Sequence, residues 1–177
     1  MPPFSTLLPL LRDLLFLRRG PQDLPYSPAL LALLIGAMLA LDAALAEHVS
    51  QVGLPHMAFS LLLMLALTWL ALRIGEKSPR FVQTASALLG AGVVLTLLAV
   101  PVLLGVGRLP ADPKLLTPSQ SMWVMVALAF QVWDLAITAH ILRHALDLKL
   151  RFGVLIAVVF SAVDLVLGSM LFERGAS

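Results

Sequence analysis

The stretch VQTASALLGAGVVLTLLAVPVLLGV, residues 82–106, runs from end to end without a charged side chain. At about 1.5 Å of rise per residue, a helix of this length exceeds the roughly 30 Å hydrocarbon core of a bilayer. Buried helices of soluble domains have no need for such a run, so the segment decides the fold class. Reading outward from it, four further segments approach or exceed the same length, at about 28–48, 56–74, 119–142 and 152–172. Their connectors are too short to hold an independent domain. The expected architecture is therefore all-α, a polytopic membrane protein with a five-helix transmembrane bundle over residues 28–177.

Composition agrees with this reading. Of 177 residues, 60% are hydrophobic and 12% charged, with a mean hydropathy of +0.97. An ordinary soluble domain carries about 25% charged residues. Disorder, collagen-like repeats and a conventional nucleic-acid binder are excluded, and with no cysteine so are disulfides, thiolate metal sites and cysteine nucleophiles.

Residues 1–27 form a separate segment. A signal peptide places cations before its apolar run, whereas FSTLLPLLRDLLFLRR, residues 4–19, begins apolar and gathers Arg12, Asp13, Arg18 and Arg19 afterwards. Ser5, Arg12 and Arg19 recur at seven-residue spacing, opposite Leu7, Leu8, Leu11, Leu14 and Leu15. That pattern predicts an amphipathic helix lying in the membrane interface, followed by a connector broken by Gly20, Pro21, Pro25 and Pro28.

Cations set the orientation. Arg12, Arg18 and Arg19, then Arg73, Lys77 and Arg80, then Arg143, Lys149 and Arg151 fall on one side. Arg108, Lys114 and Arg174 fall on the other, and the first outer loop, EHVSQVGLPH, has none. Nine of the twelve cations thus predict a cytoplasmic N-terminus and a periplasmic C-terminus, in a bacterial inner membrane. Small residues at Gly36, Ala40 and Ala44, and at Ser86 and Gly90, mark expected helix-contact faces. Pro101 is expected to kink its span, and Trp69 and Trp123 to anchor theirs at the interfaces.

Charged groups inside spans cost at least about 2.5–3.5 kcal/mol each at the bilayer centre. Asp42 and Asp164 fall on the outer halves of their spans, where they could meet, and Asp134 on an inner half. Gln131, Asp134 and Thr138 form one polar stripe, and Ser161, Asp164 and Gly168 another, both expected to face the interior. Two readings stay open: hydrogen-bonded glue between helices, or a proton or cation relay through buried carboxyls. His140 and His144, one turn apart, with Asp147 seven residues from His140, have ligand types suited to zinc or iron. However, Ile141 stands where a zinc protease needs glutamate, and Arg143 disfavours a cation, so no cofactor is expected. Glu47 with His48 forms at most an isolated acid–base pair, and no phosphate loop or nucleophile elbow occurs, so no enzymatic activity is expected.

The layout resembles the Yip-type five-span membrane proteins and their bacterial relatives. LRRGPQDLPYSP, Leu17 to Pro28, is also similar to the segment leading into the first span of small, uncharacterised proteobacterial inner-membrane proteins. The resemblance implies a small accessory or organising protein. The expected function is accordingly a non-enzymatic scaffolding or membrane-organising component, with the lipid bilayer and other membrane proteins, or further copies of itself, as partners. The alternative is a small proton-coupled transporter or channel using the intramembrane aspartates.

Overall fold

A computed structural model describes residues 4–46, 53–106, 114 and 116–173. Within them lie α1 (Phe4–Leu15), α2 (Pro28–Ala46), α3 (Leu54–Ile74), α4 (Phe81–Val106), α5 (Pro118–Ala145) and α6 (Leu150–Gly168), which passes into a π-helical turn, Ser169–Glu173. There is no strand among the described residues. α2 to α6 are each long and apolar enough to cross a membrane, so the fold is that of an all-helical, multi-pass membrane protein. Glu47, His48, Arg108 and Arg174 lie outside the described residues.

Local chemistry explains the boundaries. Ser27 Oγ accepts from the Leu30 N–H at the start of α2. Thr117 and Gln120 form a reciprocal capping box at the start of α5, with Thr117 Oγ1 accepting from Gln120 N at 3.2 Å and Gln120 Oε1 from Thr117 N at 3.1 Å. Three helix ends share one device. After α1, α3 and α5 the chain turns through a left-handed residue, Leu17, Glu76 and Asp147, with φ of 59°, 56° and 56°. The next N–H reaches back to close the turn: Arg18 to Asp13 O, Lys77 to Leu72 O and Leu148 to Arg143 O, at 2.7–2.8 Å. These are Schellman closures made without glycine.

α4 is the centre of the bundle. It packs against α2 and α5, and more lightly against α1 and α3, while α6 lies on α5 and α3. Every residue from Thr84 to Ala91 is buried. Gly90 lets the α1 side chain of Leu11 approach so closely that a Cβ would sit 2.6 Å from its Cδ2. α5 and α6 meet through Ala139, Leu142 and Ala157, and a Cβ on Gly153 would strike the Ala139 carbonyl oxygen.

Three expectations are corrected. α1 ends at Leu15, so Arg19 does not share its face with Arg12; the reversal at Leu17 carries the arginine away. Leu8 is 65% exposed, whereas Leu7, Leu14 and Leu15 are buried in the core. Gly36, Ala40 and Ala44 face outward, because α2 turns Leu30 and Leu34 inward instead. Pro101 lies inside α4, which is helical from Phe81 to Val106.

Candidate functional site

One end of the bundle gathers α1, the α3–α4 turn and the α5–α6 turn. Residues Leu15 to Leu24 cross this end as a strap held by side chains of the bundle. Trp133 Nε1 donates to Leu15 O at 3.1 Å, and Gln83 Nε2 donates to Leu24 O at 2.6 Å. His140 Nε2 lies 3.0 Å from Arg19 O; since a carbonyl oxygen only accepts, that nitrogen carries the hydrogen. Sequence reading missed Trp133 and Gln83. The available signal was an indole N–H and an amide inside apolar segments, both of which need a partner when buried.

Beside the strap, Asp147 is clamped by two cations from the α3–α4 turn, Lys77 Nζ at 2.8 Å and Arg80 Nη1 at 3.0 Å. The same Arg80 nitrogen donates to Ala145 O at 3.0 Å, capping the end of α5. Hydrogen bonds from Arg80 and then Lys77 hold the Asp147 carboxyl at a pKa of about 2. This arrangement removes the third ligand from the imagined metal triad. His140 and His144 do come together, edge to face at 4.5 Å between ring centroids, but α5 ends at Ala145 and the left-handed turn points Asp147 to the cations. No group of three metal-type ligands forms among the described residues.

The intramembrane candidates are dispersed. No hydrogen bond or ion pair joins Asp42, Asp134 or Asp164 to one another among the described residues, and α2, which carries Asp42, packs on α4 and α3 whereas α6 packs on α5 and α3. Asp42, Asp134 and Thr138 are half-buried. One carboxylate oxygen of Asp164 is buried without a partner, as are Ser86 Oγ and Arg143 Nε. A turn beyond Asp164, the His56 ring covers Gly168 so that a Cβ there would sit 2.7 Å from its Nε2, and the same ring stacks on Phe172 at 4.9 Å.

The two polar stripes split between inside and outside. Gln131 and Ser161 are exposed on the outer side of α5 and α6. They line a shallow groove of about 300 Å³ together with Val132, Leu135, Ala162 and Leu165. Ser161 satisfies its hydroxyl on its own helix, donating to Ala157 O at 3.1 Å. The Gln131 amide has no hydrogen-bond partner among the described residues. It lies thirteen residues after Pro118 and fourteen before Ala145, about 20 Å along the axis from either end. Facing lipid tails, such an amide would meet neither a donor nor an acceptor. An amide left unpaired in such surroundings costs several kcal/mol, on the order of 4 or more against pure hydrocarbon. Compared with known protein families, curated proteins and solved structures, the chain matches none.

Proposed function

We propose that this chain is a non-enzymatic integral membrane protein that acts by binding other membrane proteins through the outer face of α5 and α6. The observation that supports this is Gln131, an unpartnered amide at mid-span, facing away from its own bundle. Lipid tails offer it neither donor nor acceptor, whereas a transmembrane helix of a partner can offer both, and amides are among the groups that join helices in bilayers. Around it Val132 is 68% and Leu165 72% exposed, an apolar rim suited to a second helix.

On this reading α1 is an interfacial amphipathic helix, with Leu8 and Arg12 turned out towards headgroups and Leu7, Leu14 and Leu15 holding it on the bundle. The bundle sits in a bacterial inner membrane, N-terminus cytoplasmic and C-terminus periplasmic, in keeping with the distribution of cations. The role is that of an accessory or organising protein, the kind the Yip-type resemblance implies. A photo-crosslinking residue placed at Val132 or Leu165 in native membranes tests it. Protein adducts at both positions are expected; lipid adducts alone would overturn the proposal.

A second reading has its own support, the buried and unpartnered Asp164 oxygen. A proton-coupled transporter using Asp164 predicts that Asp164→Asn abolishes proton flux in liposomes while the folded protein persists. Absence of flux in the unmodified protein would remove this reading.

A further inference from the structure

Building on the reading that the α5–α6 groove receives a membrane protein, we propose that its occupant is a second copy of this chain, in a two-fold pair in which the Gln131 amides bond to each other. Three features of the groove lead there.

The first is the chemistry of the amide. A glutamine side chain carries a carbonyl acceptor and an NH₂ donor, so two of them facing each other satisfy both sides reciprocally. Two carboxylates facing each other would lack a donor, and two hydroxyls would share a single bond. Ser161, the other polar residue of the groove, is already occupied by Ala157 O at 3.1 Å, which leaves the amide as the group in need of a partner.

The second is depth. All copies of a chain cross the bilayer in one orientation, so a two-fold axis along the membrane normal brings every residue opposite its own depth in the partner. Gln131, at the middle of α5, then meets Gln131. An unrelated partner would need its own polar group at the same level, while a second copy supplies one by symmetry.

The third is relief. The groove is open and shallow, and Ser161 and Ala162 on its α6 wall are short. A facing α5 can therefore approach closely, with Val132 and Leu165 packing on either side of the amide pair, as small residues allow in membrane helix contacts.

Because the chain has no cysteine, single cysteines report this pairing without background. Val132→Cys and Leu165→Cys are each introduced in the full chain, with Leu62→Cys on the exposed face of α3 as the control, and native membranes are treated with a membrane-permeant oxidant. Disulfide-linked dimers at positions 132 and 165 but not at 62 are expected. Adding Gln131→Leu should reduce the dimer yield by about tenfold, with thermal unfolding in detergent unchanged because the side chain faces outward. Cysteine-reactive bifunctional crosslinkers identify any other occupant. Adducts with a different protein at these positions would overturn the second-copy proposal and leave partner binding standing. No protein adduct at either position would overturn both. Dimers equally strong with Gln131→Leu would overturn the role of the amide pair.

Discussion

Thr84 on α4 and Gln131 on α5 are both uncharged polar residues within membrane-spanning helices, and their surroundings are opposite. Thr84 is fully buried and gives its hydroxyl to Arg80 O one turn back, at 2.9 Å. Thr68 on α3 does the same with Met64 O at 2.7 Å. Gln131 stands outside the bundle with its amide free. A hydroxyl can satisfy itself on its own helix, as Thr84 and Thr68 do. A longer amide with two donors and an acceptor is not satisfied so cheaply, and at mid-span its position argues for something beyond the bundle. The contrast separates the part of the molecule that folds from the part available for association.

The largest disturbance of that division comes from the α5–α6 contact that supports the groove. Any side chain at Gly153 meets the Ala139 backbone oxygen and the Arg143 Cβ. Gly153→Leu should therefore destabilise the bundle by about 3 kcal/mol, read as a lowered unfolding midpoint in mixed micelles. Gly36→Leu is its counterpart, since a Cβ at Gly36 meets nothing within 4 Å, and it should leave the midpoint nearly unchanged. Equal effects would mean that α5 and α6 are not packed as described.

Trp133→Phe comes next. It keeps an aromatic ring in place but removes the pyrrole half of the indole, with the N–H that holds Leu15 O, and the unpaired carbonyl alone costs about 1–2 kcal/mol. The loss should be local, with faster amide hydrogen exchange over residues 7–24 and little change in α6. A uniform change throughout the chain would contradict the strap's attachment through this bond.

The smallest expected effect depends on pH. Asp147 has a pKa of about 2 in the folded protein against an ordinary value near 3.9 in an unfolded chain. A depressed carboxylate contributes stability that is fully present above the unfolded value and is lost as pH falls through the folded one. The native protein should thus exceed Asp147→Asn in unfolding midpoint from neutral pH down to about 4, and the gap should close towards pH 2. A gap that widened with acid would reverse the assignment of Asp147 to Lys77 and Arg80.

Much of the fold was legible because hydrophobic length is a local property. The uncharged run at 82–106 and its four companions placed the helices within a few residues. Which face each helix turns inward is set by neighbours, and there local reading failed. Gly36, Ala40 and Ala44 looked like a contact face and lie outside, because Leu30 and Leu34 fill the α4 interface. Ser161 looked interior through its spacing with Asp164, yet it lies at the exposed edge of that stripe while Asp164 is half-buried. His140, His144 and Asp147 shared a face only while the helix was assumed to continue; the chain instead turns left-handed at Asp147, whose carboxylate pairs with Lys77 and Arg80, over sixty residues away in sequence. Gln131 was visible as a polar residue, but its outward orientation depends on the whole α5–α6 pairing.

The central claim is that Gln131 joins this protein to another within the membrane. The most direct measurement is the monomer–dimer equilibrium of donor- and acceptor-labelled protein in liposomes, followed by energy transfer as lipid is added, for the native chain and for Gln131→Leu. The account predicts transfer that falls reversibly on dilution and a dissociation constant raised about tenfold by the substitution. Transfer no greater than random proximity in the native chain, or an identical curve for Gln131→Leu, would contradict it.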